Sequence, residues 1–330
     1  MAGRPAIGAA RITTSGVSAM AGYIIRRVFW IIPVLWAVAT ITFLLMHAVP
    51  GGPWDNERAL PPETVANLNR VYNLDKPLPV QYARYMLNLA KGDFGLSFRG
   101  NRAVLDRLKE GFPMTVMLGL SSFVLGTTVG LFLGTLAALK QNSLWDYVSV
   151  VVSTAGASMP SFVIATFLII VLAVNLGWVP ILGWREPMQI FTDPKVAVMP
   201  VLALSFREMA ILTRVTRASV LEVIRQDYIR TARAKGLRSQ VVILRHLIKN
   251  ALIPILTLLG PLLAGLMVGS FIIESIFSIP GIGREFVSAV VQRDYGMIMG
   301  TTLFYTALIT LANLVVDLMY ALVDPRIRYS

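Results

Sequence analysis

Read for hydropathy alone, the chain alternates long apolar blocks with shorter polar stretches. The blocks cover residues 28–49, 113–139, 147–176, 199–220, 251–277 and 298–323. At about 1.5 Å per helical residue, each is long enough to cross the roughly 30 Å hydrocarbon core of a bilayer. Within that core every backbone N–H and C=O needs an internal partner, which leaves helices and closed barrels, and blocks this long are helices. The pattern predicts an all-α integral membrane protein with six transmembrane helices. An even number of spans puts both termini on one side.

The stretches between the blocks divide the chain further. Residues 1–22 are small, polar and without periodicity, and read as a disordered tail in which Met1 and Met20 both stand as candidate starts. Residues 23–49 form the first span. Its apolar run ends in Pro50-Gly51-Gly52-Pro53 and not in a small-residue cleavage site, so it reads as a retained anchor. Residues 50–112 are polar and mixed in charge, with short amphipathic stretches at 64–72 and 80–89, and form a loop region outside the membrane. Residues 113–330 hold the other five spans, with a basic loop at 221–250.

Composition agrees. Of the 330 residues, 55% are hydrophobic and 15% charged, too little charge for the water-facing surface of a soluble domain. The net charge of +12 would suit nucleic acid, but the basic residues sit between hydrophobic blocks and lack aromatic interleaving. No nucleic-acid partner is expected. With no cysteine and only His47 and His246, disulfides, iron–sulfur clusters and Cys- or His-built metal sites are absent.

Loop charge sets the orientation. Arg4, Arg11, Arg26 and Arg27 precede or open the first span without an acidic residue. The 221–250 loop sets Arg225, Arg230, Arg233, Lys235, Arg238, Arg245 and Lys249 against Glu222 and Asp227. By the positive-inside rule both termini and this loop are cytoplasmic. Within the loop, Val223, Ile224, Tyr228 and Ala232 fall at helical spacing. Gly236 tolerates the positive φ that stops a helix. Ser239 is an N-cap candidate for a second helix running through His246 toward Asn250 and Pro254. A rigid two-helix knob that docks a partner would read this way. So would an interfacial helix bound to anionic lipid, and spacing alone leaves both open.

Charges inside the spans are functional candidates. Arg207 and Glu208 lie deep in the fourth block, where ionised side chains cost roughly 2.5–3.5 kcal/mol each. As sequence neighbours they point about 100° apart and do not neutralise one another, whereas Arg207 shares a face with Arg214. Arg207 either lines a pathway and meets solute carboxylates, or is bridged within the bundle. Glu274 reads as a gate group or as a snorkelling carboxylate at the outer end of its span, and Asp317 as a similar group at the inner end. Ser153, Thr154 and Ser158 either line a polar path or pack helices.

The run Asp227-Tyr228-Ile229-Arg230-Thr231-Ala232-Arg233-Ala234-Lys235-Gly236, with His246 and Asn250-Ala251-Leu252-Ile253-Pro254, resembles the EAA loop of ABC importer permeases. Arg230 stands where the name-giving Glu would be, as in the peptide branch. Further matches run in order along the chain. They include Tyr23-Ile24-Ile25-Arg26-Arg27, Asn73-Leu74-Asp75-Lys76-Pro77 and Lys91-Gly92-Asp93-Phe94-Gly95. Beyond these come Met159-Pro160-Ser161-Phe162, Leu176-Gly177-Trp178-Val179-Pro180, Phe277-Ser278-Ile279-Pro280-Gly281-Ile282-Gly283 and Asp324-Pro325-Arg326. Together they resemble the B-type subunit of the dipeptide/oligopeptide permease family.

The resemblance implies a type I ABC importer permease fold in a bacterial or archaeal cytoplasmic (inner) membrane. It implies pairing with a second, homologous C-type permease, two ABC ATPase subunits inside and a solute-binding protein outside. Residues 228–236 would be the coupling helix, and ATP with Mg²⁺ would sit on the ATPase partners, with no cofactor on this chain. The sequence has no G-x-x-x-x-G-K-[ST] loop and no protease-like constellation, so the chain itself reads as a non-enzyme. The alternative is a self-sufficient secondary transporter, for which an internal inverted repeat would be expected and is not seen. The solute stays open between dipeptides, longer peptides, metal chelates and sugars.

Overall fold

The computed structural model describes residues 14–54 and 60–323. The tail before residue 14, the Asp324-Pro325-Arg326 end and the Asp317 side chain lie outside what is described. Helix α1 (Thr14–Ala48) begins inside the segment expected to be an irregular tail. Its stretch Arg26–Ala48 is long and apolar enough to span. The helix runs through Arg26 and Arg27 without a break, because no proline or glycine pair stops the backbone there.

The loop region expected at 50–112 carries α2 (Pro62–Val71) and α3 (Leu78–Ala90), each with proline in its first turn. Helix α4 (Val104–Leu139) runs through Pro113, where hydropathy starts the second span. Its 36 residues reach about 54 Å, well beyond the hydrocarbon core. The first turns therefore stand outside the membrane, which is why hydropathy misses them. Val104 and Leu108, four apart, are fully buried there against Ile282, Ala289, Met297 and Tyr305.

The third block is not one straight helix. Helix α5 (Leu144–Ser158) stops at Met159-Pro160, and α6 (Ser161–Leu168), extended by a π-helical turn at Ile169–Asn175, leaves at an angle of 112°. Pro160 cannot donate to the helix ladder, and Met159 ahead of it takes the extended conformation (φ −87°, ψ 129°). After the short α7 (Gln189–Thr192), α8 (Lys195–Ile224) forms the centre of the bundle. In its most apolar stretch 67% of residues are buried by this chain, against 11% for α1.

Helix α9 (Asp227–Ala234) is followed by α10 (Ser239–Val241), a π-helical turn (Val242–Ile248) and α11 (Lys249–Ile276). The last three form one path bent by 55° near Pro254. The second helix of the basic loop is thus continuous with the fifth span. Ser239 is its first residue and not its cap: Arg238 holds the N-cap position without a side-chain bond. Between the last two apolar blocks lies α12 (Ile282–Gln292), and α13 (Tyr295–Val323) follows it. In all, four helices among the described residues are long and apolar enough to cross a membrane, or up to six spans if each bent pair counts as one.

Two contacts hold this architecture. Helices α4 and α8 approach through Gly126, Gly130 and Gly134, four apart on one face of α4. A Cβ on Gly130 would stand 2.7 Å from the Leu212 Cβ, and one on Gly134 2.6 Å from the Thr213 carbonyl oxygen. Small residues at this spacing let helix backbones pack closely where lipid supplies no hydrophobic drive. At the start of α13, buried Asp294 caps the helix by accepting from Met297 N at 3.1 Å. It also accepts from Ser97 Oγ (2.5 Å) and Phe98 N (2.9 Å), pinning the 97–99 segment to the bundle. Burial, with the Asp294 charge adding to it, raises the nearby Tyr72 phenol above its ordinary range.

Candidate functional site

Helix α9 is short because it is bounded on both sides. Helix α8 ends at Ile224, so Val223 and Ile224 belong to the central span and not to the loop helix to which their spacing joins them. Gln226 is extended (ψ 145°), and α9 starts with Asp227 in its first turn and ends with Arg233 in its last. Both charges complement the helix dipole. Gly236, at φ +73°, closes the segment with open space around its Cα.

The helix has a seated face and a free face. Ile229 (0% exposed) and Ala232 (7%), three apart, insert among Ala138, Val220, Val242, Leu247 and Ala251. This socket is built from the neighbouring ends of α4 and α8, the π-helical turn at Val242–Ile248 and the start of α11. Asp227, Arg230, Thr231, Arg233, Ala234 and Lys235 are exposed on the other side. The Arg230–Asp227 contact, at 3.7 Å and fully in solvent, contributes little to holding the helix. Tyr228 stands at the border: its Oη accepts a hydrogen bond from Asn250 Nδ2 at 3.1 Å. Asn250 Nδ2 also donates to the His246 carbonyl at 2.7 Å, tying α9 to the foot of the fifth span.

The structure thus brings together Tyr228, Ala232, His246 and Asn250, and sets Pro254 just beyond them at the bend. It also supplies the anchor that spacing misassigns. Ile229 is the inward residue, whereas the spacing puts Tyr228 on the apolar face. The i, i+3 pair Ile229/Ala232 is the signal, masked by the run-on from Val223 and Ile224.

A second pair that sequence reasoning misses joins α5 to α8. Asp146, 3% exposed at the start of α5, takes two bonds from Arg217 of α8, at 2.6 Å from Nε and 2.9 Å from Nη2. The fork-to-carboxylate geometry makes it directional as well as charged.

The membrane candidates separate from one another. Arg207 is exposed, as is Arg214 on the same face of α8, and among the described residues neither guanidinium has a hydrogen bond or ion pair. Glu208 points the other way: it is 3% exposed, packed against Gly126 of α4, and makes no pair with Arg207. Ser158 is exposed at the α5–α6 break, its hydroxyl bonded back to the Thr154 carbonyl at 2.9 Å.

Glu274 is no snorkelling group. It is fully buried, accepting from Ser270 Oγ (2.7 Å), Thr115 Oγ1 (2.9 Å) and Arg284 N (3.1 Å). Thr115 in turn accepts from Ile282 N, so Glu274 organises the Pro280-Gly281-Ile282-Gly283 turn from inside. Neither Glu208 nor Glu274 faces an open path in this conformation.

The family model "Binding-protein-dependent transport system inner membrane component" matches residues 130–329, and the N-terminal membrane-component model of the same systems matches 20–119. The oligopeptide transport system permease protein OppB of Haemophilus influenzae is 41% identical over 311 residues, 94% of this chain and 100% of that protein. The dipeptide transport system permease protein DppB of Bacillus subtilis is 42% identical over 310 residues, 94% and 98% of the two chains. In fold, the chain is similar to a crystal structure of an amino acid ABC transporter with histidines. That match has a TM-score of 0.50 and 18% identity, over 68% of this chain and 95% of that one.

Proposed function

Since the chain belongs to the family of inner membrane components of binding-protein-dependent transport systems, we propose that it is a permease subunit of an ATP-driven importer of peptides. It forms half of a translocation pathway that works by alternating access. Six spans cross a bacterial or archaeal cytoplasmic membrane with both termini inside. A second, homologous C-type permease supplies the other half of the pathway. Two ABC ATPase subunits carry ATP and Mg²⁺, and a solute-binding protein docks outside.

The observation that carries this reading is the seating of α9. A helix whose buried side reaches the inner ends of three spans, and whose basic side is free, transmits displacement from a docked protein into the bundle. Ile229 and Ala232 carry the push; Arg230, Thr231, Arg233 and Lys235 meet the ATPase. A basic helix lying on anionic lipid would not need a socket shared by α4, α8 and α11. For the cycle to turn, ATP and the loaded binding protein must favour the outward-open state over the inward-open one, since equal affinity for both shifts nothing.

The energy source separates this reading from a self-sufficient secondary transporter. Proteoliposomes holding the assembled complex and internal ATP should take up labelled dipeptide with proton and sodium gradients collapsed, and should stop with a non-hydrolysable analogue. Uptake that follows an ion gradient without ATP would replace the importer with a secondary transporter.

A further inference from the structure

Arg207 lies 12 residues into α8, about 18 Å from its outer end, and Arg214 about 28 Å from it. The helix spans roughly 45 Å, longer than the hydrocarbon core, and Arg207 lies in its middle third, away from both ends. It also stands on the most protein-covered of the straight spans, on the strip that this chain leaves open. Among the described residues neither Arg207 nor Arg214 has an acidic partner, and Glu208 is turned into the α4 contact. An uncompensated guanidinium at the depth of Arg207 needs water or an anion beside it, and Arg214 carries the same strip toward the end of the span.

The break in the third span occurs at the same level. Gly156 packs on Phe206 and Ala210, the residues flanking Arg207 along α8, and two residues later Ser158, Met159 and Pro160 are all exposed. Non-helical backbone at membrane depth persists where it is buried in protein or lines a water-filled cavity, and this corner is not buried by its own chain.

We propose that the Arg207–Arg214 strip of α8, with the Ser158–Pro160 corner near its outer half, forms a cationic, water-filled subsite that takes the carboxylate groups of the solute. This rests on the permease reading and adds to it the charge class of the solute group held midway. The chemistry is charge-assisted hydrogen bonding from a guanidinium fork to a carboxylate. Arg207 would take it first on the way in and Arg214, two turns deeper, would receive it next.

The absence of cysteine permits a direct test. Ile211 is four residues from Arg207 and three from Arg214 on the same face. In the assembled complex, Ile211→Cys is reacted with anionic sulfonatoethyl or cationic trimethylammonioethyl methanethiosulfonate, and labelling of this chain is read. The anionic reagent should be favoured about tenfold beyond its ratio on a free thiol. The preference should vanish with Arg207→Gln plus Arg214→Gln and survive Arg207→Lys. Trialanine should protect the thiol and trialanine amide should not. A thiol unreactive to both reagents, an unchanged ratio in the double variant, or equal or no protection by the two peptides would each overturn the proposal. ATPase stimulation in the same preparation reads the permease function separately: retained stimulation with a failed charge ratio sinks the subsite alone.

Discussion

At the scale of single residues, the membrane carboxylates have opposite fates that composition could not forecast. Hydropathy marks Glu208 and Glu274 alike, as charges inside apolar blocks, and passes over Asp146 just beside one. Asp146 meets a guanidinium, Glu274 meets three donors, and Glu208 is buried in a helix contact. Which partner arrives depends on bringing residue 146 to residue 217 and residue 115 to residue 274, and no local pattern encodes that. The Asp146–Arg217 pair allows a sharp expectation. Asp146→Ala leaves a guanidinium facing its vacated socket and should cost about 3 kcal/mol, near the low end for a broken buried pair because Arg217 is 28% exposed. Arg217→Lys should recover part of that loss, since it keeps the charge but not the two-pronged geometry. Denaturant or thermal unfolding in detergent checks both; equal stability of Asp146→Ala and wild type would refute the assignment.

At the scale of elements, the spans are legible wherever apolar composition and helix coincide, and misread where they part. Residues 104–112 are helical but charged, so α4 looks shorter than it is; residues 159–160 are apolar but break the helix, so α5 and α6 look like one. The Met159-Pro160 pair does carry a signal for that break, in the known bias of a residue before proline against helix. The Gly126, Gly130, Gly134 spacing is also there to be read as a helix-packing face. Gly130→Leu would force the α4 and α8 backbones apart where a Cβ already lacks room. It should lower stability by about 1–3 kcal/mol, with Gly130→Ala less affected. At Gly265 of α11 an added Cβ would meet nothing within 4 Å, and Gly265→Ala should be neutral or mildly stabilising in the same melt. A Gly130→Leu protein as stable as wild type would mean that the α4–α8 contact is looser than described.

At the scale of the whole molecule, the design places a rigid input at one face and a charged strip at the centre. Helix α9 rests on the ends of α4 and α8 and on the π-helical turn that leads into α11, and α8 carries the Arg207–Arg214 strip through the bundle. A displacement of α9 therefore bears directly on the span that lines the proposed pathway. The basic loop itself is legible from charge and from Gly236, whereas the socket is not, because Ala138, Val220 and Leu247 are ordinary apolar residues until the fold gathers them. The central claim is that α9 transmits force from an ATPase, and hydrolysis by the purified complex tests it. Ala232→Glu drives a charge into the socket and should abolish stimulation by the loaded binding protein, by at least about tenfold. The chain should remain inserted and assembled. Arg233→Glu, on the free face, should weaken stimulation by impairing docking while leaving the seat intact. Full stimulation in the inserted Ala232→Glu complex would contradict the account, leaving α9 a basic helix at the membrane surface.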